Sequence, residues 1–211
     1  IAFTFDDGPD HRTTPIIMDA LDARGVKGAF FINGAKIHQR TAGGPENQAV
    51  LRDLYRRGHF IGNHTFTHKD ISSLDDEAWK LEVTQVEGVV RSITGRRPYL
   101  FRPPFATSTP QAITRLVAEG YTVVMWNLDA EDWLAKSADE LVRRVARLLE
   151  QNPLGGVIVM HDTSPVTAEA LPRIIEWIDE QNGARAADGR APLEIVGIEH
   201  FVRRARPAPA P

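Results

Sequence analysis

Short apolar runs alternate along this chain with longer segments in which apolar residues recur at helical spacing. The runs predict strands near residues 1–5, 28–32, 59–62, 99–102, 122–126, 156–161 and 193–198. The periodic segments predict helices over 14–24, 47–57, 74–94, 110–119, 138–150 and 168–181. Strands that alternate with helices are typical of an α/β fold with a parallel sheet.

The predicted helices carry end signals. Ser73 and Ser137 each precede acidic residues, in positions where their hydroxyls can accept free backbone N–H groups at a helix start. The segment 42–45, Ala-Gly-Gly-Pro, predicts a surface loop.

Five of the strand-like runs are followed directly by a polar cluster. The clusters are Asp6-Asp7-Gly8-Pro9, His64-Thr65-Phe66-Thr67-His68, Arg102-Pro103-Pro104-Phe105, Asp129-Ala130-Glu131-Asp132-Trp133 and His161-Asp162. Chemistry in parallel α/β folds gathers at the carboxyl ends of strands, so we expect one active site. Clusters after five different strands favour a barrel of about seven strands over a doubly wound sheet, because a doubly wound sheet usually collects its site at one switch point.

Composition narrows the function. The chain has 211 residues, enough for one domain, and its net charge of −3 shows no basic stripe, which argues against nucleic acid as a partner. It has no cysteine, so any metal depends on His and Asp. No apolar stretch approaches the roughly 20 residues that span a bilayer. Nothing in the sequence indicates the oligomeric state.

The two ends of the chain also carry expectations. Ile1 lies inside a predicted strand, so we expect an excised domain whose targeting segment, if any, is missing. We expect the catalytic domain to cover residues 1–205, and the Pro/Ala-rich stretch 206–211 to be an extended linker.

One set of residues suits a divalent metal. His64 and His68 are four residues apart, a spacing that places two imidazoles on the same side of a helical turn, and Asp7 supplies a carboxylate. Three protein ligands leave room for water and a substrate carbonyl. By themselves, two histidines at this spacing are better explained as part of a solvated polar loop, and only the neighbouring motifs favour a metal site.

Five motifs together resemble the polysaccharide deacetylases of the NodB-homology type, also called carbohydrate esterase family 4. The matching segments, in the family's order, are TFDDGP at 4–9, HTFTH at 64–68, RPPF at 102–105, DAEDW at 129–133 and VMH at 159–161. The resemblance covers residues 1 to about 202. It implies a distorted (β/α) barrel and a metal-dependent hydrolase that removes acetyl groups, most often from N-acetylglucosamine units of chitin, chitooligosaccharides or peptidoglycan.

The resemblance also implies roles for individual residues. Asp7, His64 and His68 would hold the metal, and Asp6 would be the general base. His161 would protonate the departing amine, a task that suits an imidazole with an unperturbed pKa of about 6.5. By the same resemblance, Asp132 orients His161, Arg102 pairs with Asp6, and the backbone N–H of Phe105 contacts the oxyanion.

The remaining candidates shape the pocket. Trp133 is predicted to wall the sugar site, because an aromatic face packs against a pyranose. Pro103 stiffens the loop before Phe105, which stands where the family usually has Tyr, and Val159 replaces a usual leucine in an apolar acetyl pocket. Met125 and Trp126 are predicted to belong to the core. No catalytic role is expected for His11, His38, His59 or His200.

Together these features predict an N-deacetylase acting on an acetylated glycan. Zn²⁺ is the first candidate for the metal, and Co²⁺, Mn²⁺ or Fe²⁺ also suit two histidines and a carboxylate. Two other functions remain open: an O-acetyl esterase acting on a xylan-like polysaccharide, and a glycan-binding module without catalysis. The resemblance further implies a protein exported to the periplasm, the cell surface or the medium.

Overall fold

A computed structural model describes residues 1–202 of the chain. The predicted linker at 206–211 lies outside this part, so the domain boundary at 205 stays a prediction. None of the helices in residues 1–202 is both long and apolar enough to cross a bilayer.

Seven parallel strands form one curled sheet. They are β1 (Ala2–Asp6), β2 (Ala29–Ile32), β3 (Phe60–Asn63), β4 (Leu100–Phe101), β5 (Thr122–Val123), β6 (Leu128–Asp129) and β7 (Val157–His161). Their order in the sheet is β5-β4-β3-β2-β1-β7-β6, and within residues 1–202 no ladder joins β5 to β6. The predicted α/β fold, a distorted barrel of about seven strands, is therefore confirmed. The sheet forms a curled half-barrel whose opening lies between two strands that are consecutive in the chain.

Helices cover the outer face of the sheet. They are α1 (Thr14–Asp22), α2 (Gly44–Arg56), α3 (Asp76–Trp79), α4 (Gln85–Thr94), α5 (Pro110–Ala118), α6 (Ala138–Gln151) and α7 (Pro165–Ala187). Successive side chains of β1 lie on opposite faces of the sheet. Phe3 and Phe5 belong to the main apolar core on one face, whereas Thr4 and Asp6 form polar contacts with Arg102 on the other. Apolar burial thus fixes which side chains of each strand face the interior of the curl.

The prediction of a strand at 193–198 is wrong. This segment has no strand structure, although Leu193 and Ile198 are buried. It is tied to the chain start instead, because Val196 donates its N–H to the carbonyl of Ile1. The seventh strand is β6, a two-residue strand whose Asp129 pairs with Val159. So short an element leaves no periodic apolar signal.

The helix predicted over 74–94 is interrupted. It consists of α3, one π-helical turn at Lys80–Thr84, and α4. Asp75, not Ser73, caps its start, with a side-chain oxygen 2.8 Å from the N–H of Ala78. The prediction for Ser137 is confirmed, since its hydroxyl accepts the N–H of Glu140.

Two other helices begin earlier than predicted. Helix α2 starts at Gly44, so the expected loop at 42–45 is partly its first turn. Helix α7 starts at Pro165, after the cap Ser164, and extends to Ala187 with Pro172 inside it. In both helices a proline in the first turn forms part of the start, where no N–H is needed.

Candidate active site

A cleft of about 390 Å³ lies at the carboxyl ends of the strands. It is lined by Asp6, Asp7, His64, His68, Pro103, Phe105, Trp126, Asp129, Trp133, Val159 and His161. All five polar clusters contribute to it. The prediction that they meet at one place is therefore confirmed, because strand carboxyl ends share one edge of a parallel sheet.

Asp7, His64 and His68 form a possible metal site. Asp7 Oδ1 lies 3.7 Å from His64 Nε2 and 3.5 Å from His68 Nε2, and the three ligand atoms lie within 4.8 Å of one another. Asp7 Oδ1 is buried and has no hydrogen-bond partner. A buried carboxylate oxygen facing two imidazole nitrogens is costly without a compensating charge, so this donor set fits a divalent cation.

A hydrogen bond and burial determine which nitrogen of His64 is free to bind a cation. Its Nδ1 lies 2.7 Å from the carbonyl oxygen of Arg102, which can only accept, so Nδ1 carries the proton. Burial lowers the pKa of His64, although the charges of Asp6 and Asp7 oppose this shift. The neutral ring therefore presents the lone pair of Nε2 to the cleft.

The two histidines do not share a helical turn, contrary to the expectation from their spacing. Residues 64–70 form an irregular loop after β3. Thr65 and His68 both have left-handed backbone conformations, with φ of 62° and 61°. The loop folds back at these positions and brings the imidazole centroids to 5.0 Å.

Asp6 has a different partner from Asp7. Its Oδ1 accepts a hydrogen bond of 2.8 Å from Arg102 Nη1, while Oδ2 lies 3.9 Å from His64 Nε2. Arg102 is fully buried, with its guanidinium carbon 4.1 Å from the ring centroid of Phe31 and 5.2 Å from that of Trp126. A charged, hydrogen-bonded partner of this kind holds Asp6 in one orientation.

His161 is held by Asp132, which is almost fully buried. The Asp132 carboxylate accepts the His161 backbone N–H at 2.7 Å and contacts His161 Nδ1 at 2.8 Å. The Thr167 hydroxyl, from α7, adds a third bond to Asp132. Burial alone would lower the pKa of His161, but the hydrogen bond and charge of Asp132, with the charges of Asp6 and Asp7, raise it to about 9.

Aromatic side chains stand on both sides of the cleft. Phe105, 65% exposed, packs edge-on against His68, and Trp133, 58% exposed, packs edge-on against His161. The expectation that Met125 belongs to the core is wrong, because its side chain is 40% exposed. Trp126 does pack against an apolar cluster that includes Phe31, and it also lines the cleft. Both residues follow β5 at the open edge of the sheet, where the apolar run YTVVMW continues beyond the strand.

Backbone strain is concentrated in the same loops. Within residues 1–202, the non-glycine residues with positive φ are Asp7, Thr65, His68, Phe105, Ala106 and Glu131. All six lie in loops that follow the carboxyl ends of β1, β3, β4 and β6. Such conformations persist where surrounding contacts enforce them, and they cluster at functional sites.

Some supporting residues escaped sequence reasoning. Thr167 holds Asp132, and Glu82 holds the loop between the two histidines. Asp162 is fully buried and accepts the Thr14 hydroxyl at 2.6 Å, and burial raises its pKa to about 7. Asp129 lines the cleft beside Val159. Of these four residues, only Asp162 and Asp129 could have been noted from the sequence, because they lie inside the polar clusters that follow the strands.

Comparison with known proteins identifies the family. The model of the polysaccharide deacetylase family matches residues 1–124. The chain belongs to the polysaccharide deacetylase family.

Relatives of this polysaccharide deacetylase domain act on several glycans. It is 33% identical to a chitin deacetylase of Pestalotiopsis sp, over 92% of the chain and 61% of that protein. It is 29% identical to a peptidoglycan-N-acetylglucosamine deacetylase of Bacillus cereus, over 88% of the chain and 65% of that protein. A chitooligosaccharide deacetylase of Bradyrhizobium also matches. The chain thus spans about two thirds or less of the length of the first two relatives.

Solved structures agree on the fold. A T48 deacetylase solved with substrate is 27% identical with a TM-score of 0.76, over 95% of this chain and 88% of that chain. A family 4 acetyl xylan esterase from Clostridium thermocellum, solved with a cobalt ion, is 25% identical with a TM-score of 0.71, over 90% and 92% of the two chains.

Proposed function

We propose that this domain is a metal-dependent hydrolase that removes N-acetyl groups from N-acetylglucosamine units of chitin, chitooligosaccharide or peptidoglycan. The observation that carries the proposal is one cleft that joins a possible Asp-His-His metal site to two charged pairs, Asp6–Arg102 and Asp132–His161. The relatives that match most of the chain deacetylate these glycans.

The proposed metal ligands are Asp7, His64 and His68. A divalent cation bound there supplies Lewis acidity, which polarises the acetyl carbonyl and lowers the pKa of the attacking water. Zn²⁺ is the first candidate because two imidazoles and one carboxylate with open positions suit it, while Co²⁺, Mn²⁺ and Fe²⁺ are alternatives.

Asp6 is the proposed general base. Arg102 engages its Oδ1, which leaves Oδ2 directed toward the ligand set and able to take a proton from the attacking water. Arg102 holds the carboxylate in one orientation through this hydrogen bond.

His161 is the proposed general acid. Its raised pKa, about 9, keeps the imidazole protonated at neutral pH, and its Nε2 faces the cleft 4.0 Å from Asp7 Oδ2. From this position Nε2 can donate its proton to the departing nitrogen, while Asp132 holds the ring through Nδ1. The amine leaves neutral, and acetate is the second product.

The cleft walls are proposed to select the substrate. Phe105 and Trp133 offer faces to the sugar ring, and Val159 with Pro103 encloses the acetyl methyl. The backbone N–H of Phe105 is assigned to the developing oxyanion.

If peptidoglycan or an external glycan is the substrate, the protein acts outside the cytoplasm, and we therefore infer export.

An O-acetyl esterase is the second candidate, since a similar solved structure is an acetyl xylan esterase. A non-catalytic glycan-binding module is less well supported because Asp6, His161 and all three candidate ligands are present. A substrate panel separates these functions. Acetate release is measured from N-acetylglucosamine oligomers, peptidoglycan and acetylated xylan, with and without chelator, and with Zn²⁺ or Co²⁺ added back.

We expect chelator-sensitive acetate release from the N-acetylated substrates, restored by metal. Release from xylan alone would favour the esterase. Full activity in a chelated, metal-free sample would exclude the metal mechanism, and binding without release would favour the glycan-binding module.

A further inference from the structure

Glu82 is a buried carboxylate outside all five motifs. It is only 7% exposed and lies on the π-helical turn Lys80–Thr84 between α3 and α4. A π-helical turn interrupts the regular hydrogen bonds of a helix, and it is frequent at functional sites. The position of Glu82 in such a turn raises the question of what the side chain holds.

All hydrogen bonds of its carboxylate go to one loop. Glu82 Oε2 accepts the backbone N–H of Phe66 at 3.0 Å and that of Thr67 at 2.8 Å. Oε1 accepts the hydroxyl of Thr67 at 2.6 Å. Among residues 1–202 no Lys, Arg or His pairs with it. Three hydrogen-bond donors, and not a cation, therefore satisfy this buried carboxylate.

The contacted residues lie between the candidate ligands His64 and His68. The loop enters and leaves this stretch through Thr65 and His68, which both have left-handed backbone conformations that are unfavourable for residues other than glycine. Without an internal acceptor, the N–H groups of Phe66 and Thr67 would favour a relaxed loop exposed to water. Glu82 offsets the cost of the fold-back that brings the two imidazoles together.

We propose that Glu82 is a positioning residue that sets the geometry of the His64–His68 pair and so the metal affinity of the site. This inference rests on the proposed function, because it takes these two histidines as ligands. The Glu82 carboxylate hydrogen-bonds to Phe66 and Thr67 and not to either histidine ring. Glu82 acts through the backbone between the two histidines, and its side chain must be long enough to reach the backbone N–H groups there.

Two substitutions separate reach from charge. Glu82→Asp keeps the charge but is one methylene too short to reach both N–H groups. Glu82→Gln keeps the length: its amide oxygen can accept both N–H groups, and its NH₂ can donate to the Thr67 hydroxyl. Glu119→Asp is the matched control, because Glu119 accepts Trp79 Nε1 at 3.1 Å and is a hydrogen-bonded carboxylate away from the loop.

Each metal-free protein is titrated with Co²⁺, whose visible absorption reports coordination geometry, and Zn²⁺ affinity is measured against a chelating dye at one pH. We expect Glu82→Asp to bind at least about tenfold more weakly than wild type, with an altered Co²⁺ spectrum. Glu82→Gln should remain within about threefold of wild type, and Glu119→Asp should be unchanged even if its melting temperature falls.

The proposal is overturned if folded Glu82→Asp binds Co²⁺ and Zn²⁺ like wild type, or if Glu82→Gln loses as much affinity as Glu82→Asp. If Glu82→Asp does not fold, Thr67→Val decides, because Thr67 is exposed and the change removes only the Oε1 contact. Unchanged affinity there overturns the proposal. A wild-type protein that binds neither ion refutes the proposed function itself, which is a different result.

Discussion

Asp6 and Asp7 are adjacent in the chain, yet their carboxylates have different neighbours. Asp6 Oδ1 is paired with a buried guanidinium, whereas Asp7 Oδ1 is buried without a partner and faces two imidazole nitrogens. The left-handed backbone of Asp7, with φ of 71°, turns the second side chain away from the direction of the first. One dipeptide can therefore serve both as base and as ligand.

Substitution of the two carboxylates should separate these roles. We expect Asp7→Ala to lose bound metal, because it removes the only carboxylate of the ligand set. Asp6→Asn should retain the metal and lose at least about 10²-fold in turnover, since an amide cannot take a proton. Metal content of the purified variants and kcat on N-acetylglucosamine oligomers provide the check. Equal metal loss in both variants would contradict the division.

His161 should matter more for amides than for activated esters. An amine leaves poorly unless protonated, while an aryl oxide departs with little help. We therefore expect His161→Ala to reduce turnover of N-acetylglucosamine oligomers far more than turnover of an aryl acetate, with metal content unchanged. Both rates are measured on one preparation so that folding damage cancels. An equal loss on both substrates would instead indicate a positioning role for His161.

At the scale of elements, the packing between the adjacent strands β2 and β3 determines the space available to Arg102. Gly62 on β3 is in register with Phe31 on β2, and a Cβ at Gly62 would lie 2.3 Å from Phe31 Cδ1. The same Phe31 ring packs against the guanidinium of Arg102, which holds Asp6. The absence of a side chain at Gly62 thus leaves space for the Phe31 ring, which packs against the guanidinium of the Asp6–Arg102 pair.

The substitution Gly62→Ala should therefore reduce both stability and turnover. We expect a loss of about 1–3 kcal/mol in the free energy of unfolding, because the added methyl overpacks the site. Turnover should fall as Phe31 displaces Arg102. Gly88→Ala on α4 is the control: a Cβ there meets nothing within 4 Å, so it should add about 0.5–1 kcal/mol and leave turnover unchanged. Denaturant unfolding and kcat test both, and an unchanged kcat in folded Gly62→Ala would contradict this coupling.

At the scale of the whole molecule, stability depends on groups far from the cleft. His59 is buried immediately before β3, and its Nδ1 accepts the Gly28 N–H, so the ring is neutral and protonated at Nε2. Burial lowers the pKa of His59 to about 4; Asp22 opposes this shift, while Lys27 and Arg57 reinforce it. The folded state therefore resists protonation of a ring that is freely protonated once unfolded.

This group should make the fold acid-sensitive. Because the folded pKa lies below the unfolded value of about 6.5, the unfolded state binds more protons between pH 4 and 6.5, and stability falls as the pH drops through that range. Between pH 7 and pH 5 the loss from His59 is about 2 kcal/mol. His59→Asn, whose Oδ1 can accept the Gly28 N–H, should remove that share of the pH dependence. Denaturant unfolding of the wild type and the variant at pH 7 and pH 5 measures this share. An identical change in the free energy of unfolding for both proteins would contradict the assignment to His59.

The fold and the centre of the site were largely predictable, and their supports were not. The chemistry of Asp7, His64 and His161 marked the carboxyl ends of three strands, and regular alternation located most helices and strands. Strand β6 and the π-helical turn are too short or too local for periodicity to reveal. Glu82 and Trp126 resemble ordinary helix and core residues, because only long-range folding brings them to the site.

The six left-handed residues around the cleft have an evolutionary consequence. A population selected for heat resistance alone, with no demand for turnover, would gain from Gly or Asn at Thr65, Phe105 and Ala106, since these residues tolerate that backbone at lower cost. Under the proposed function, we expect these substitutions to raise stability and to lower turnover, because they would relax the loops that shape the cleft. Thermostable descendants that remain active should therefore acquire their changes on the helical shell, far from the strand ends.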